Sequence, residues 1–182
     1  RGRIEELENG TETMRKQQRD LYGDLDKRIT ALQGTNPAPV AAGGSTAPGT
    51  PAPTGSSVEQ TVYSQAFDAL KAGSYSVAIT GFKDFLANYP SSPLAENAQY
   101  WLGETYYVNH EYDAAAGAFR NVLQKWPDSR KAPDAMLKLG YTQLELKKVA
   151  EGRATLTEVT RKFPNSEAAK LASERLRRVP PR

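Results

Sequence analysis

The sequence contains no cysteine, which removes disulfides, thiolate metal sites and cysteine nucleophiles together. It has no run of about 18 apolar residues, so no segment reads as a membrane span. Its one histidine, His110, falls in an expected turn and reads as a surface residue, not as a metal ligand or general base. No glycine-rich phosphate loop follows a strand, and no G-x-S-x-G is present. Carboxylates are scattered as solvated charge, without a pair spaced for acid–base work. No enzymatic activity is therefore expected, and no catalytic residue, metal or cofactor. Charge of a single sign is lacking too. The 24 Lys and Arg face 21 Asp and Glu, a formal charge of +3, which solubilises a surface without the concentrated basic field of a nucleic-acid binder. An apolar fraction of 38% over 182 residues is too low for the whole chain to form one compact core, so part of it is expected to be extended. The chain opens at Arg1 without a basic n-region or apolar h-region, so any secretion signal is expected to have been removed, or never to have existed.

What is present divides into three segments. Residues 1–33 hold seven acidic and seven basic residues, abundant Leu and Gln, and no proline, which is helix chemistry. Ile4, Leu7, Thr11, Met14, Gln18, Leu21 and Leu25 recur in steps of three and four, the seam of a coiled coil. Ile29 and Leu32 continue it after two successive steps of four, a stutter that straightens the supercoil. Homo-oligomerisation through this helix, as a trimer or dimer, is expected; the other reading is a single frayed helix weakened by Gly10 and Gly23. Residues 34–57 are uncharged, and 22 of the 24 are Gly, Pro, Ala, Thr or Ser. They read as a disordered linker, since nothing there can be buried to offset the entropy of ordering.

Residues 58–182 repeat themselves. Tyr89-Pro90, Trp126-Pro127 and Phe163-Pro164 are 37 residues apart. The same offset links Tyr75, Tyr112 and Val149, and the triplets beginning at Ser92, Ala95, Ala98 and Leu102. A period of this length is the signature of a solenoid of helical hairpins. The columns answer packing demands. Ala78, Ala115 and Gly152 are expected where helices cross, as are Gly103 and Gly140. Phe82, Phe119 and Leu156, with Phe85, Val122 and Val159 three residues on, should fill the space between paired helices. The prolines should stop each second helix, and Ser92, Ser129 and Ser166 should cap the next. His110 and Lys147 stand in turns where Gly73 has its counterpart. Gly152 and Thr160 suggest looser packing in the third repeat.

The pattern resembles the tetratricopeptide repeat family over residues 60–178, with three repeats and a capping helix near Glu167 to Arg178. In that family the first helix of each hairpin lines a groove. The resemblance places Tyr63, Phe67, Leu70 and Lys71 there from the first repeat. The second supplies Asn97, Tyr100, Glu104, Tyr107 and Val108, and the third Asp134, Leu137, Tyr141, Leu144 and Glu145. The tyrosines suit recognition of a peptide, being rigid rings with a polar tip. The alternative is that they simply pack between adjacent first helices. The arginines at 175, 177, 178 and 182 read as a solvated terminal face.

Arg3-Ile4-Glu5-Glu6-Leu7-Glu8, Gln18-Arg19-Asp20-Leu21-Tyr22 and Asp24-Leu25-Asp26, followed by the linker and repeats, resemble the YbgF/CpoB family of Gram-negative bacteria. The resemblance implies a periplasmic, trimeric adaptor that acts with the Tol-Pal envelope machinery through a TolA-like protein. It also implies a role in coordinating outer-membrane constriction with septal peptidoglycan synthesis, with the peptidoglycan synthase machinery as a further partner. Two other readings differ in their demands. A generic tetratricopeptide scaffold or co-chaperone-like adaptor that clamps a terminal carboxylate would need a basic, Asn-rich groove. A scaffold of lipoprotein type would need an N-terminal cysteine to carry the lipid.

Overall fold

A computed structural model of the chain describes residues 57–179. The coiled coil expected over 1–33 and nearly all of the linker expected over 34–57 lie outside the described residues. Among the described residues there are seven helices and no strand: α1 Ser57–Lys71, α2 Tyr75–Asn88, α3 Ala95–Val108, α4 Tyr112–Lys125, α5 Ala132–Glu145, α6 Val149–Lys162 and α7 Glu167–Arg178. The starts of α2, α4 and α6 keep the 37-residue offset of the sequence, and so do their ends. Helices α1 and α2, α3 and α4, and α5 and α6 pair as hairpins, each second helix packs on the next first helix, and α7 packs on both α5 and α6.

Every turn within a hairpin is built alike. Gly73, His110 and Lys147 have φ of 77°, 63° and 62°, the left-handed conformation that follows a helix end. The next residue's N–H reaches back in each case, Ser74 to the Ala69 carbonyl, Glu111 to Tyr106 and Lys148 to Gln143, at 2.9 Å. Gly73, His110 and Lys147 themselves donate to Leu70, Tyr107 and Leu144 at 3.0–3.1 Å. This double closure satisfies carbonyls that a helix end would otherwise leave bare. It holds two residues with side chains where glycine would be unstrained.

The second helices end at the aromatic-proline step. Tyr89, Trp126 and Phe163 sit at φ of −130°, −134° and −130°, because a following proline disfavours the helical conformation. Their N–H groups still donate to Phe85, Val122 and Val159. The expected serine caps are found only once. Ser166 caps α7, its Oγ accepting from the Ala169 N–H at 3.1 Å. Ser92 and Ser129 instead accept from Leu94 N–H at 3.2 Å and Lys131 N–H at 2.9 Å, closing a turn that precedes α3 and α5. Those helices start three residues beyond the serine, too far for its hydroxyl to reach the first helical turn.

Small residues set the spacing. A Cβ on Gly103 would lie 2.7 Å from the Phe119 ring, and one on Gly140 would lie 2.7 Å from Leu156 Cδ2. The third repeat is not left loose by Gly152, because Leu144 fills the room: a Cβ there would meet its Cδ2 at 2.8 Å. Gly81, which no column marked, admits Ala66 at the same distance. Phe82, Phe119 and Leu156, and Phe85, Val122 and Val159, are all fully buried. The last hairpin is closed by Ala168, Ala169 and Ala172 of α7, packed in one cluster with Met136, Leu137, Leu144, Leu156 and Val159.

Candidate interaction surface

The first helices α1, α3 and α5 carry the residues that the sequence singles out, and α7 adds a fourth helix beside α5. Three of the expected rings are buried. Tyr63 stacks on Phe67 at 6.3 Å and meets Phe82 and Phe85 edge-on at 6.0 and 5.7 Å. Phe67 meets Trp101 at 5.2 Å. Tyr100 packs on Trp101 at 5.3 Å and Phe119 at 5.8 Å. Tyr63, Phe67 and Tyr100 therefore cement helices together, which corrects their placement in the groove and follows the packing alternative. A spacing of three and four puts residues on one helix side without separating the neighbour that covers them from solvent.

Further along the helices the surface opens. Tyr107 is half-buried, edge-on to Tyr112 at 5.5 Å, with the Lys138 ammonium 5.6 Å over its ring. Burial pushes its hydroxyl pKa well up, helped by Glu145 and Glu104. Tyr141 is half-buried, donates to the Leu171 carbonyl at 3.4 Å, and lies under the Arg175 guanidinium at 5.8 Å. Its hydroxyl pKa is raised by burial, against the opposing pull of Arg175. Glu145 faces Arg175 at 4.0 Å. Lys71 stands apart on α1, exposed, 2.7 Å from Asp68 and 5.2 Å over Phe67.

A charged seam joins α3 to α5. Glu104 is 1% exposed, and its Oε2 accepts from Lys138 Nζ at 2.7 Å. Lys131, also buried, holds its ammonium 5.1 Å over Tyr100 and 5.9 Å over Trp101. Asp134 lies between the two lysines in sequence and is half-buried. Burial raises its carboxyl pKa, with Lys131 and Lys138 opposing and Glu104 reinforcing. Asn97 is 8% exposed. Both Asn97 Oδ1 and Glu104 Oε1 are buried without a hydrogen-bond partner. The structure thus gathers Glu104, Tyr107 and Asp134 around Lys138, and Tyr141 and Glu145 around Arg175. Sequence reasoning missed Lys131 and Lys138. Their only signal was a place one helical turn before and one after Asp134, within reach of its face. Among the described residues no cluster of His, Asp and Glu could hold a metal ion, and no helix is long and apolar enough to cross a membrane.

The hairpin array is matched over residues 56–179 by the YfiO family model, described as an outer membrane lipoprotein. The chain belongs to the YfiO family. That membership rests on the hairpin array over residues 56–179. Residues 1–39 match a second model, described as TolA binding protein trimerisation. The cell division coordinator CpoB of Pseudomonas putida is 35% identical over 126 residues, 57% of this chain and 44% of the relative. The chain thus spans under half the length of the curated relatives it matches. Among solved structures, the Sgt2 TPR domain from Aspergillus fumigatus superposes with a TM-score of 0.56 at 18% identity, covering 68% of this chain and 79% of that one. The first TPR domain of Spaghetti (RPAP3), bound to the HSP90 peptide SRMEEVD, gives 0.54 at 16% identity, covering 66% and 89%. The fold is that of a tetratricopeptide repeat array.

Proposed function

We propose that this YfiO-family chain is a non-enzymatic protein-interaction adaptor of the periplasm, trimerised through residues 1–33 and binding partners through its layer of first helices. The proposed partners are a TolA-like envelope protein and the peptidoglycan synthase machinery. The proposed role is to coordinate outer-membrane constriction with septal peptidoglycan synthesis during division. The observation that carries the adaptor reading is the pair of half-buried, amphipathic rings Tyr107 and Tyr141, each set beneath a cation on the first-helix layer. Such rings anchor a partner at low entropic cost. The order of a TolA-binding trimerisation match followed by the hairpin match supports the partner and the compartment, as does the likeness to CpoB. Replacing Tyr107 and Tyr141 together with Ala should reduce capture of the TolA-like protein at least tenfold while the helical circular dichroism is unchanged. Undiminished capture would move the site elsewhere. A co-chaperone-like clamp for a terminal carboxylate is disfavoured, because Lys138 is already committed to Glu104 and Lys131 to two rings.

A further inference from the structure

We infer that Arg175 is a docking point for an acidic side chain, an aspartate or glutamate carried within a segment of a protein partner that lies across the first-helix layer. The inference rests on the adaptor reading and names the charge that one end of its surface selects. Its basis is a cation that the fold presents without using. Arg175 stands on α7 with its guanidinium 5.8 Å over the Tyr141 ring. Its side chain is 40% exposed, so a ligand can reach it. Among the described residues the one carboxylate in range is Glu145, whose Oε1 lies 4.0 Å from Arg175 NH2, beyond hydrogen-bond length. Both side chains are more than a third exposed, and a loose pair of that kind contributes little. Nε, on the inner side of the group, is buried without a partner. A guanidinium carries five donors in a planar fork that matches a carboxylate, and the outer ones here remain open to an incoming acceptor.

The distribution of charge over the layer favours the same point. Of its four helices α7 alone has more basic than acidic residues, Lys170, Arg175, Arg177 and Arg178 against Glu167 and Glu174. Helix α3 holds Glu96 and Glu104 and no cation, and the one cation within α5, Lys138, is already turned to Glu104. A segment bearing an acidic residue is therefore repelled along α3 and drawn toward α7. Arg175 also stands beside the rings proposed to hold the partner, since its charge acts on the hydroxyls of both Tyr107 and Tyr141. Arg178, exposed and one turn further on, strengthens the positive field at Tyr141, against Glu174. Arg177 and Arg178 are free to move in solvent, whereas Arg175 is half-buried and held against a ring. A guanidinium held in this way loses less freedom on pairing than one on a mobile stem.

The test is a titration of the full chain with three N-acetylated tripeptides: Ala-Glu-Ala amide, its neutral counterpart Ala-Gln-Ala amide, and Ala-Gln-Ala ending in a free carboxylate. The readout is the set of backbone amide resonances of α7. The glutamate peptide should shift them saturably, with an affinity roughly fivefold or more above that of the glutamine amide. The free-carboxylate peptide should stay near the glutamine amide, since a carboxylate fixed to the backbone lacks a side chain's reach to a half-buried guanidinium. Arg175→Gln should bring the glutamate peptide down to the level of the glutamine amide. Glu145→Gln, which removes the weak internal competitor, should tighten the glutamate peptide about twofold and leave the glutamine amide unchanged. The opposite directions of these variants cannot both come from a loss of folding. Equal affinities for the glutamate and glutamine amides, no binding of either, a free-carboxylate peptide as tight as the glutamate one, or glutamate binding undiminished in Arg175→Gln overturns the inference. Capture of the TolA-like protein by the Tyr107 and Tyr141 variants reads the adaptor role separately, so either idea can fall while the other stands.

Discussion

Lys147 holds a left-handed backbone at φ 62° with its side chain in solvent. A residue with a Cβ costs about 1–2 kcal/mol in that conformation, and glycine's extra freedom in the unfolded chain returns part of it. Lys147→Gly should therefore stabilise the array by about 0.5–1 kcal/mol, measured by urea unfolding. His110 is a poorer choice for the same change, since its Nδ1 lies 2.7 Å from the Tyr112 hydroxyl. Lys138 is the opposite case: removing it strands a buried carboxylate, so Lys138→Met should cost about 3 kcal/mol. Asp134 gives a pH signature. Its folded pKa is raised, so the folded state binds the proton more tightly than the unfolded chain does. The stability this contributes is complete below the unfolded value of about 3.9 and is lost as pH rises through the folded pKa. Asp134→Asn should then stabilise the protein more at pH 7 than at pH 4 in paired thermal melts. An equal effect at both would show that burial does not govern this carboxyl.

At the scale of elements, periodicity in the sequence was enough to place the helices. The aromatic-proline step and the small residues answer local constraints that act the same way in every repeat, so the limits of α2, α4 and α6 could be read directly. The serines could not be read this way, because whether Ser92, Ser129 or Ser166 caps a helix depends on where the next helix starts, and that is set by packing. Ser166→Ala should cost about 1 kcal/mol, and Ser129→Ala less, because its hydroxyl closes a turn instead of capping a helix, in matched unfolding curves; equal losses would mean that these two serines do the same work. The candidate surface was legible in outline, since Tyr107, Asp134, Tyr141 and Glu145 do share the first-helix layer. For Tyr63, Phe67 and Tyr100 the spacing could not decide between groove and packing, because a ring against a neighbouring hairpin and a ring against solvent leave the same mark on it. Lys131 and Lys138 went unseen because lysine is ordinarily a solvated residue, and only the tertiary fold lays it across aromatic faces.

For the whole molecule, the proposal of a trimer is testable by sedimentation of the full chain against residues 58–182. The full chain should sediment as an oligomer and the hairpin array as a monomer; equal masses per chain would sink the oligomerisation proposed for residues 1–33. If the trimer holds, three interaction surfaces are tethered together, and weak single contacts sum to avid capture without any new contact. Stability within the array should follow nearest neighbours. Deleting α7 would uncover the cluster of Met136, Leu137, Leu144, Leu156 and Val159.

The three turns within the hairpins share one hydrogen-bond scheme at a strict 37-residue offset, although glycine, histidine and lysine occupy the same place in it. Junctions so alike behave as interchangeable couplings. A cassette running from Tyr112 to Lys148 begins and ends at equivalent points, so an extra copy could be spliced in and meet neighbours of the shape it already fits. The length of the array can therefore grow or shrink by duplication, while its surface residues are free to diverge copy by copy.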